Sequence, residues 1–351
     1  MFGFLYRATV ESLLHACRGR KPVRNLCRNW AAASRLPLVY LGVARDPWGS
    51  FDNYLQIEAG LGSTYFVIPK KGYAGRAASG QAPCKRASRY SVNDIKPQLE
   101  KIMSAGCEVS LHGLDAWLDS DSGSEERETL FKTSGTRETG VRMHWLYFNE
   151  QSPVALDRAG FSYDSSIGYN QTVGFRAGTA QAFKPAGVAN LLELPLHVMD
   201  TALFYPNHLN LSEKQAEKVV WNIIDAAERF GGALTINWHD RSIAPERLWS
   251  DFYVKLLDEL KRRGAWLPTA ANAVAWFRMR RAATFGTVAR EDERAKVGVS
   301  VKGASNLPGL RARVHQPRAK SLLEPPPGKN GTAFVDMNLT NHSNQEVAIT
   351  N

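Results

Sequence analysis

Between residues 37 and 277, short β-rich apolar runs alternate with helical stretches, and this alternation constrains the fold more than any other feature of the chain. The runs are PLVYLGVA (37–44), STYFVIP (63–69), CEVSLHG (107–113), VRMHWLYF (141–148), LLELPLHVM (191–199), ALTINWH (233–239) and GAWLPT (264–269). Most are near-continuous apolar stretches, the pattern of strands covered on both faces. Between them lie SVNDIKPQLEKIMSAG, SPVALDRAG, SEKQAEKVVWNIIDAAERFGG and PERLWSDFYVKLLDELKRRG. Ser212 with Gln215 three residues later makes a capping box, and Gly231 ends that helix. Basic residues before Gly264 suit the C-terminal end of the next helix. The pattern predicts an α/β fold with a parallel sheet and right-handed crossovers, either closed into a barrel or open and doubly wound. No glycine-rich loop follows any run, which argues against a dinucleotide fold.

Charge separates the ends from the middle. Seven Lys/Arg face one acid in 1–36, and twelve face six in 278–351, so of the net +10 the segment 37–277 carries −2. The basic ends therefore read as solvated segments, with weak contact to an anionic surface as the functional alternative and no specific nucleic-acid partner. Residues 285–351, with PGLRARVHQPRAKSLLEPPPGKNG at their centre, read as a Pro/Gly/basic tail that is mostly disordered, with one short strand in TAFVDMNL. The N-terminus lacks the features of a secretory signal and reads as a short amphipathic helix. Cys17, Cys27, Cys84 and Cys107 follow no metal or redox spacing, which fits free thiols in a reducing compartment. The expected location is cytoplasmic, with peripheral contact to the inner face of the membrane.

Functional groups of parallel α/β folds collect at the carboxyl ends of strands. His112, His144, His197 and His239 fall within or at the ends of the expected strands, with Asp46, Asp115, Asp164 and Asp240 nearby. His112 and Asp115, in SLHGLDAW, are a candidate divalent-metal pair, with Gly113 allowing a sharp turn between them. The bland alternative is a histidine satisfied by a local carboxylate. His239 in NWHDRS is a candidate general acid, because imidazole titrates near neutrality. Arg142 and His144, two apart, share one strand face and suit orientation of a substrate oxygen. Trp48, Trp117, Trp145 and Trp238 stand beside these groups, where an aromatic face suits a sugar ring.

EVSLHGLDAW, VRMHWLYF, AGFSYDSSIGYNQTVGFRAGT, LLELPLHVMD and ALTINWHD follow one another in the order and spacing of the polysaccharide deacetylase family, the nodulation-protein-B-like carbohydrate esterases. Over 37–280 the chain resembles that family. The resemblance implies an irregular (β/α)7 barrel and a hydrolase that removes N-acetyl or O-acetyl groups from a glycan or sugar-linked intermediate in cell-surface polysaccharide synthesis. It implies a divalent metal, zinc or alternatively cobalt or manganese, that activates water. Carried over residue by residue, Asp46 matches the base, His112 a metal ligand and His239 the general acid. Arg142, His144, Asp164 and Arg176 match positions that shape the site, and Trp238 is the expected aromatic beside them.

The chain departs from the family at two positions. The second acid of the first motif is replaced by Trp48, and the second histidine of the HisxxxHis motif by Ala116. Asp115 substitutes for the latter in this reading, with Asp52 as a further candidate acid. The departures leave a second reading open, a deacetylase-like carbohydrate-binding protein without full catalysis. A third is an adaptor that acts through its basic ends.

Overall fold

The computed structural model describes residues 5–19, 23–41, 43–44, 51–244, 249–291, 294–301, 306–315, 334–339 and 344–350. It divides into two compact units, Met1–Ala271 and Asn272–Asn351.

The first unit is a mixed α/β structure whose main strands run parallel, with one short antiparallel hairpin of Arg76–Ala77 and Gly80–Gln81. Five form one sheet in chain order: β1 (Thr64–Val67), β2 (Glu108–Gly113), β3 (Val141–Met143), β4 (Tyr163–Asp164) and β5 (Leu192–Glu193). A second parallel pair follows, β6 (Leu196–Met199) with β7 (Thr235–Asn237). Pro195, which has no N–H to give a ladder, interrupts the apolar run between β5 and β6. Strand order equals chain order, so the sheet never reverses its winding. That is the course of a barrel rather than of a doubly wound sheet, and it settles the alternative the sequence left open. Arg142 of β3 shows the curvature directly: its guanidinium reaches Asn237 of β7 at 3.1 Å and lies 4.3 Å over the ring of Phe66 in β1.

Helices cover the strands as the apolar periodicity requires. Lys96–Ser104 buries Leu99 and Ile102 against a core that includes Val109, Leu111 and Val141. Glu213–Phe230 and Ser250–Arg262 enclose a second core of Val198, Val220, Ile224, Phe252 and Leu256. Ser212 and Gln215 make the expected reciprocal cap. Ser120–Ser134, which no apolar stripe announced, is set by its ends: Asp119 accepts from the Ser122 N–H, and Gly135 takes the left-handed conformation.

Three expectations fail locally. The run at 37–44 is helical over Leu36–Tyr40, with proline in its first turn, so it is not the first strand. Residues 264–269, which include Gly264 and Pro268, form no strand. Tyr163–Asp164, outside the runs expected as strands, is a strand flanked by β3 and β5. The basic N-terminal segment folds as helices within the first unit, and Arg24 and Arg28 pair with Asp251 at 3.2 and 3.4 Å.

The second unit contains the segment 285–351 expected as a Pro/Gly/basic tail. Thr284–Glu291, Arg294–Ser300 and Asn344–Thr350 form an antiparallel sheet, and Arg311–His315 pairs with Phe334–Asn338. Met279, Val299, Val301, Leu307, Leu310 and Leu339 give this unit its own apolar core. The Pro-rich stretch at 316–333 lies outside the described residues. Among the described residues, no helix is long and apolar enough to cross a membrane.

Candidate functional site

The carboxyl ends of the parallel strands bring together His112, Arg142, His144, Asp200 and His239. His112 ends β2 and pairs in register with Arg142 of β3. His144 follows β3 in a short turn, and Trp145 and Leu146 after it hold left-handed backbone angles of 61° and 53°. Such angles cost side-chain-bearing residues energy and persist where the surroundings impose them. Asp200 directly follows β6, and His239 follows β7.

Asp200 and His239 form a tightly bound pair. The fully buried carboxylate accepts from His239 Nδ1 at 2.6 Å and from the His239 backbone N–H at 2.7 Å. Tyr54 donates its hydroxyl to the His239 carbonyl. Burial opposes the imidazolium, but the charge and hydrogen bond of Asp200 outweigh it, so the His239 pKa is raised. Burial alone would raise the Asp200 pKa, and the same pairing lowers it instead. The His239 side chain remains 43% exposed, which leaves its outer nitrogen open to the mouth of the sheet.

His112 and His144 face each other. His112 Nε2 lies 3.0 Å from His144 Nδ1, and the ring centroids are 4.8 Å apart. Each outer nitrogen meets a backbone carbonyl: His112 Nδ1 that of Arg142 at 2.8 Å, and His144 Nε2 that of Arg86 at 3.0 Å. Burial, then the neighbouring imidazole, pushes the His112 pKa well down. Burial, then the Arg86 guanidinium, pushes His144 down to about 4. His239 adds a small depression to both.

Arg142 lies behind the pair as a buried cation. It donates to the Ser165 carbonyl and hydroxyl at 3.1 and 2.9 Å and to Asn237. Burial lowers its pKa to about 10, so it stays charged at neutral pH. Asp164 and Glu193, both buried, lie nearby, and Asp164 is the one that supplies negative charge to Arg142. Burial and the Asp164 charge raise Glu193 well above the usual carboxylate range, so it holds a proton beside ionised Asp164.

Asp115 is not aimed at His112. Tyr73 donates to it through its hydroxyl, and Arg76 through its backbone N–H at 2.7 Å and its Nε at 3.4 Å. Glu126 accepts from the Leu114 and Asp115 N–H groups and fixes the turn. A carboxylate so engaged does not fit the expected His112–Asp115 metal pair. Gly113 serves close packing rather than a sharp turn, since a Cβ there would meet Met143 Sδ at 2.7 Å. Asp46 and Trp48 lie outside the described residues. Asp164 is enclosed behind Arg142, and Arg176 is exposed and ties its loop to the Gly168 carbonyl at 2.7 Å. Trp238 stacks on Tyr253 and Phe252, at centroid distances of 4.9 and 6.0 Å, so it serves the core rather than a sugar ring. His197 bridges the Thr179 carbonyl and the Thr235 N–H and is structural. Asp52 pairs with Lys101 at 2.7 Å on the surface.

Sequence reasoning missed Asp200, Asn237, Tyr54 and Arg86. Asp200 carried a usable signal, a carboxylate immediately after an apolar run. Arg86 carried none, since its loop shows neither periodicity nor motif. Among the described residues, no group of three or more His, Cys, Asp or Glu side chains is arranged to hold a metal ion.

No protein-family model and no curated protein matches the chain. Among solved structures, the chain is similar to a protein designated a polysaccharide deacetylase from Mycobacterium smegmatis, with 18% identity and a TM-score of 0.49, covering 82% of this chain and 92% of that one. It is also similar to the Xyl-CE4 domain of a multidomain xylanase from the hindgut metagenome of Trinervitermes trinervoides, with 13% identity and a TM-score of 0.25, covering 61% of this chain and 86% of that one.

Proposed function

We propose that the chain is a cation-assisted hydrolase that removes acetyl groups from an N-acetylated or O-acetylated sugar. The observation that carries this reading is the Asp200–His239 pair, open to solvent on one side and grouped with His112, His144 and Arg142 at the strand ends. The ordered sequence motifs support the same chemistry.

Asp200 accepts from His239 Nδ1, so Nε2 is the atom left to deliver a proton. The raised pKa keeps a protonated fraction at neutral pH, as protonation of a departing sugar amine or alcohol requires. The second hydrogen bond to Asp200 and the Tyr54 contact hold the ring's backbone in place. Arg142 positions the His112 carbonyl partner and fixes the strand ends, and its full burial keeps it from direct contact with bulk solvent. A divalent cation, when bound, would polarise the acyl carbonyl and lower the pKa of water. Of the expected metal pair, His112 lies against His144 at 3.0 Å, while Asp115 is engaged by Tyr73 and Arg76. Half-buried Trp145 lies 6.0 Å from the His144 ring and 6.3 Å from that of Tyr147, and such aromatic faces suit a sugar ring.

Acetate release from N-acetylhexosamine oligomers and O-acetylated xylan, with zinc, cobalt or manganese added, tests the reading. His239→Ala is expected to lower the rate by about 10²–10⁴-fold. No acetate from either substrate with any of the metals would remove it. The second reading, sugar binding without turnover, draws on Trp48 at an expected acid position. Sugar binding unchanged by His239→Ala, with no acetate released, would favour it.

A further inference from the structure

We propose that the N-terminal helices, within residues 5–41, dock this protein on a bilayer surface rich in anionic lipid headgroups and lie in the plane of that surface. More than half of the large apolar side chains exposed among the described residues fall within 6–43. Single exposed apolar residues are ordinary, but their concentration in one short segment marks an interaction face. The run at 37–44 is the clearest case. It has the composition of a buried strand, yet Leu38, Leu41 and Val43 are 45%, 75% and 76% exposed.

The helices before it are packed inside out. The helical stretch 5–17 lies against Val23–Ser34. The side chains enclosed there are small or polar: Ala8, Ser12, Asn25, Asn29 and Ala32. Leu13, Leu14, Val23 and Trp30 are exposed instead. At about 3.6 residues per turn, Val23 and Trp30 share the side of their helix opposite Asn25, Asn29 and Ala32. A helix pair surrounded by water buries its leucines and exposes its asparagines. The reverse suits helices with apolar surroundings, where small and polar residues make the seam. Charge selects the kind of surface. Residues 1–36 hold seven Lys/Arg against one acid. Arg24 and Arg28 pair with Asp251 and tie Val23–Ser34 to the rest of the unit. Arg18 and Arg35, which follow the two helices, are exposed, and Arg20 and Lys21 stand between the helices in the chain. Exposed leucines flanked by basic residues, with a tryptophan among them, are the chemistry of an in-plane interfacial helix. Val23–Ser34, with 12 residues, spans about 18 Å and is too short to cross a hydrocarbon core of about 30 Å.

The inference is independent of the hydrolase reading. Full-length protein is sedimented with vesicles of phosphatidylcholine alone or of phosphatidylcholine and phosphatidylglycerol in equal parts. Binding to the anionic vesicles is expected to be at least about 10-fold tighter, and to weaken as salt rises. Leu13→Asp combined with Leu14→Asp, and separately Trp30→Asp, are each expected to weaken it about 10-fold. Arg18→Glu combined with Arg35→Glu is expected to do the same and to flatten the salt dependence. All these positions are exposed, so circular dichroism is expected to match wild type. A polarity-sensitive dye on Cys27, exposed on the same side of its helix as Trp30, supplies a readout that needs no variant to lose binding, once the other cysteines are replaced by serine. Its emission is expected to move to the blue on anionic vesicles. No vesicle binding, binding unchanged in all three variants, or binding without a dye shift overturns the assignment. A dimer that Leu13→Asp with Leu14→Asp breaks, without vesicle binding, gives the face to a second copy and also overturns it. Vesicle binding without acetate release removes the hydrolase alone, and acetate release without vesicle binding removes the docking alone.

Discussion

Replacing Asp200 by asparagine probes the site's central pair with little change in volume. The carboxylate accepts the ring and backbone N–H groups of His239 at 2.6 and 2.7 Å and the Thr201 N–H at 2.6 Å. An amide keeps one acceptor oxygen and turns an NH₂ group toward one of these donors. A buried donor left unsatisfied costs about 1–3 kcal/mol. The His239 side chain is 43% exposed, so solvent screens part of the ionic contribution, and about 1–2 kcal/mol is the reasonable figure. For a unit of this size that corresponds to roughly 2–8 °C in melting temperature. The loss follows a defined pH course. The raised His239 pKa contributes stability that is full below its ordinary value of 6.5 and disappears as pH rises through the folded value. The lowered Asp200 pKa contributes stability that is full above its ordinary value of 3.8 and disappears as pH falls through the folded value. Scanning fluorimetry of wild type and Asp200→Asn across pH is therefore expected to show the largest gap between 3.8 and 6.5, narrowing on both sides. In the acetate assay, the alkaline limb set by protonated His239 is expected to move to lower pH in the variant. A gap that stays constant across pH, with an unmoved alkaline limb, would refute the pairing argument.

Three further outcomes test the buried polar structure. Glu193→Gln is expected to change stability at pH 7 by less than about 1 kcal/mol, because Glu193 already holds a proton, whereas Asp164→Asn removes negative charge near Arg142 and costs more; chemical denaturation that gives the opposite order refutes the assignment. Gly140→Ala would place a Cβ 2.0 Å from Tyr163 Cζ, inside the core, and the denaturation midpoint is expected to fall by the equivalent of about 1–3 kcal/mol. Arg86→Met removes hydrogen bonds to the Ala74, Leu114 and His144 carbonyls and leaves buried acceptors without a donor, so the denaturation midpoint is expected to fall by the equivalent of about 1–3 kcal/mol.

The course of the fold was readable where one apolar run made one strand. STYFVIP, CEVSLHG and ALTINWH did so, and β2 and β7 carried His112 and His239 to the same mouth. The reading failed where length or local chemistry defeated periodicity. PLVYLGVA is as apolar as a strand, but its proline fits the first turn of a helix. Tyr163–Asp164 is too short for alternation to show, and its serines resemble a turn. The site was legible as a set of histidines at strand ends and illegible in its pairings. Asp115 stands three residues from His112 in sequence, yet its carboxylate belongs to donors from the loop at 73–76. His144 read as substrate-facing because nothing near it in sequence announces the carbonyl of Arg86, 58 residues earlier. Asp200 shared the strand-end signal of the other groups and was passed over among more conspicuous histidines.

The guanidinium of Arg142 has a consequence for how this molecule holds together. Its partners belong to segments that are distant along the chain, Ser165 and, 95 residues away, Asn237. Once the cation is enclosed, loss of one of those partners leaves buried charge uncompensated. The contact that completes the enclosure of this charge comes from β7, the strand that also delivers His239. One buried cation thus ties the middle of the sheet to the strand that ends at His239.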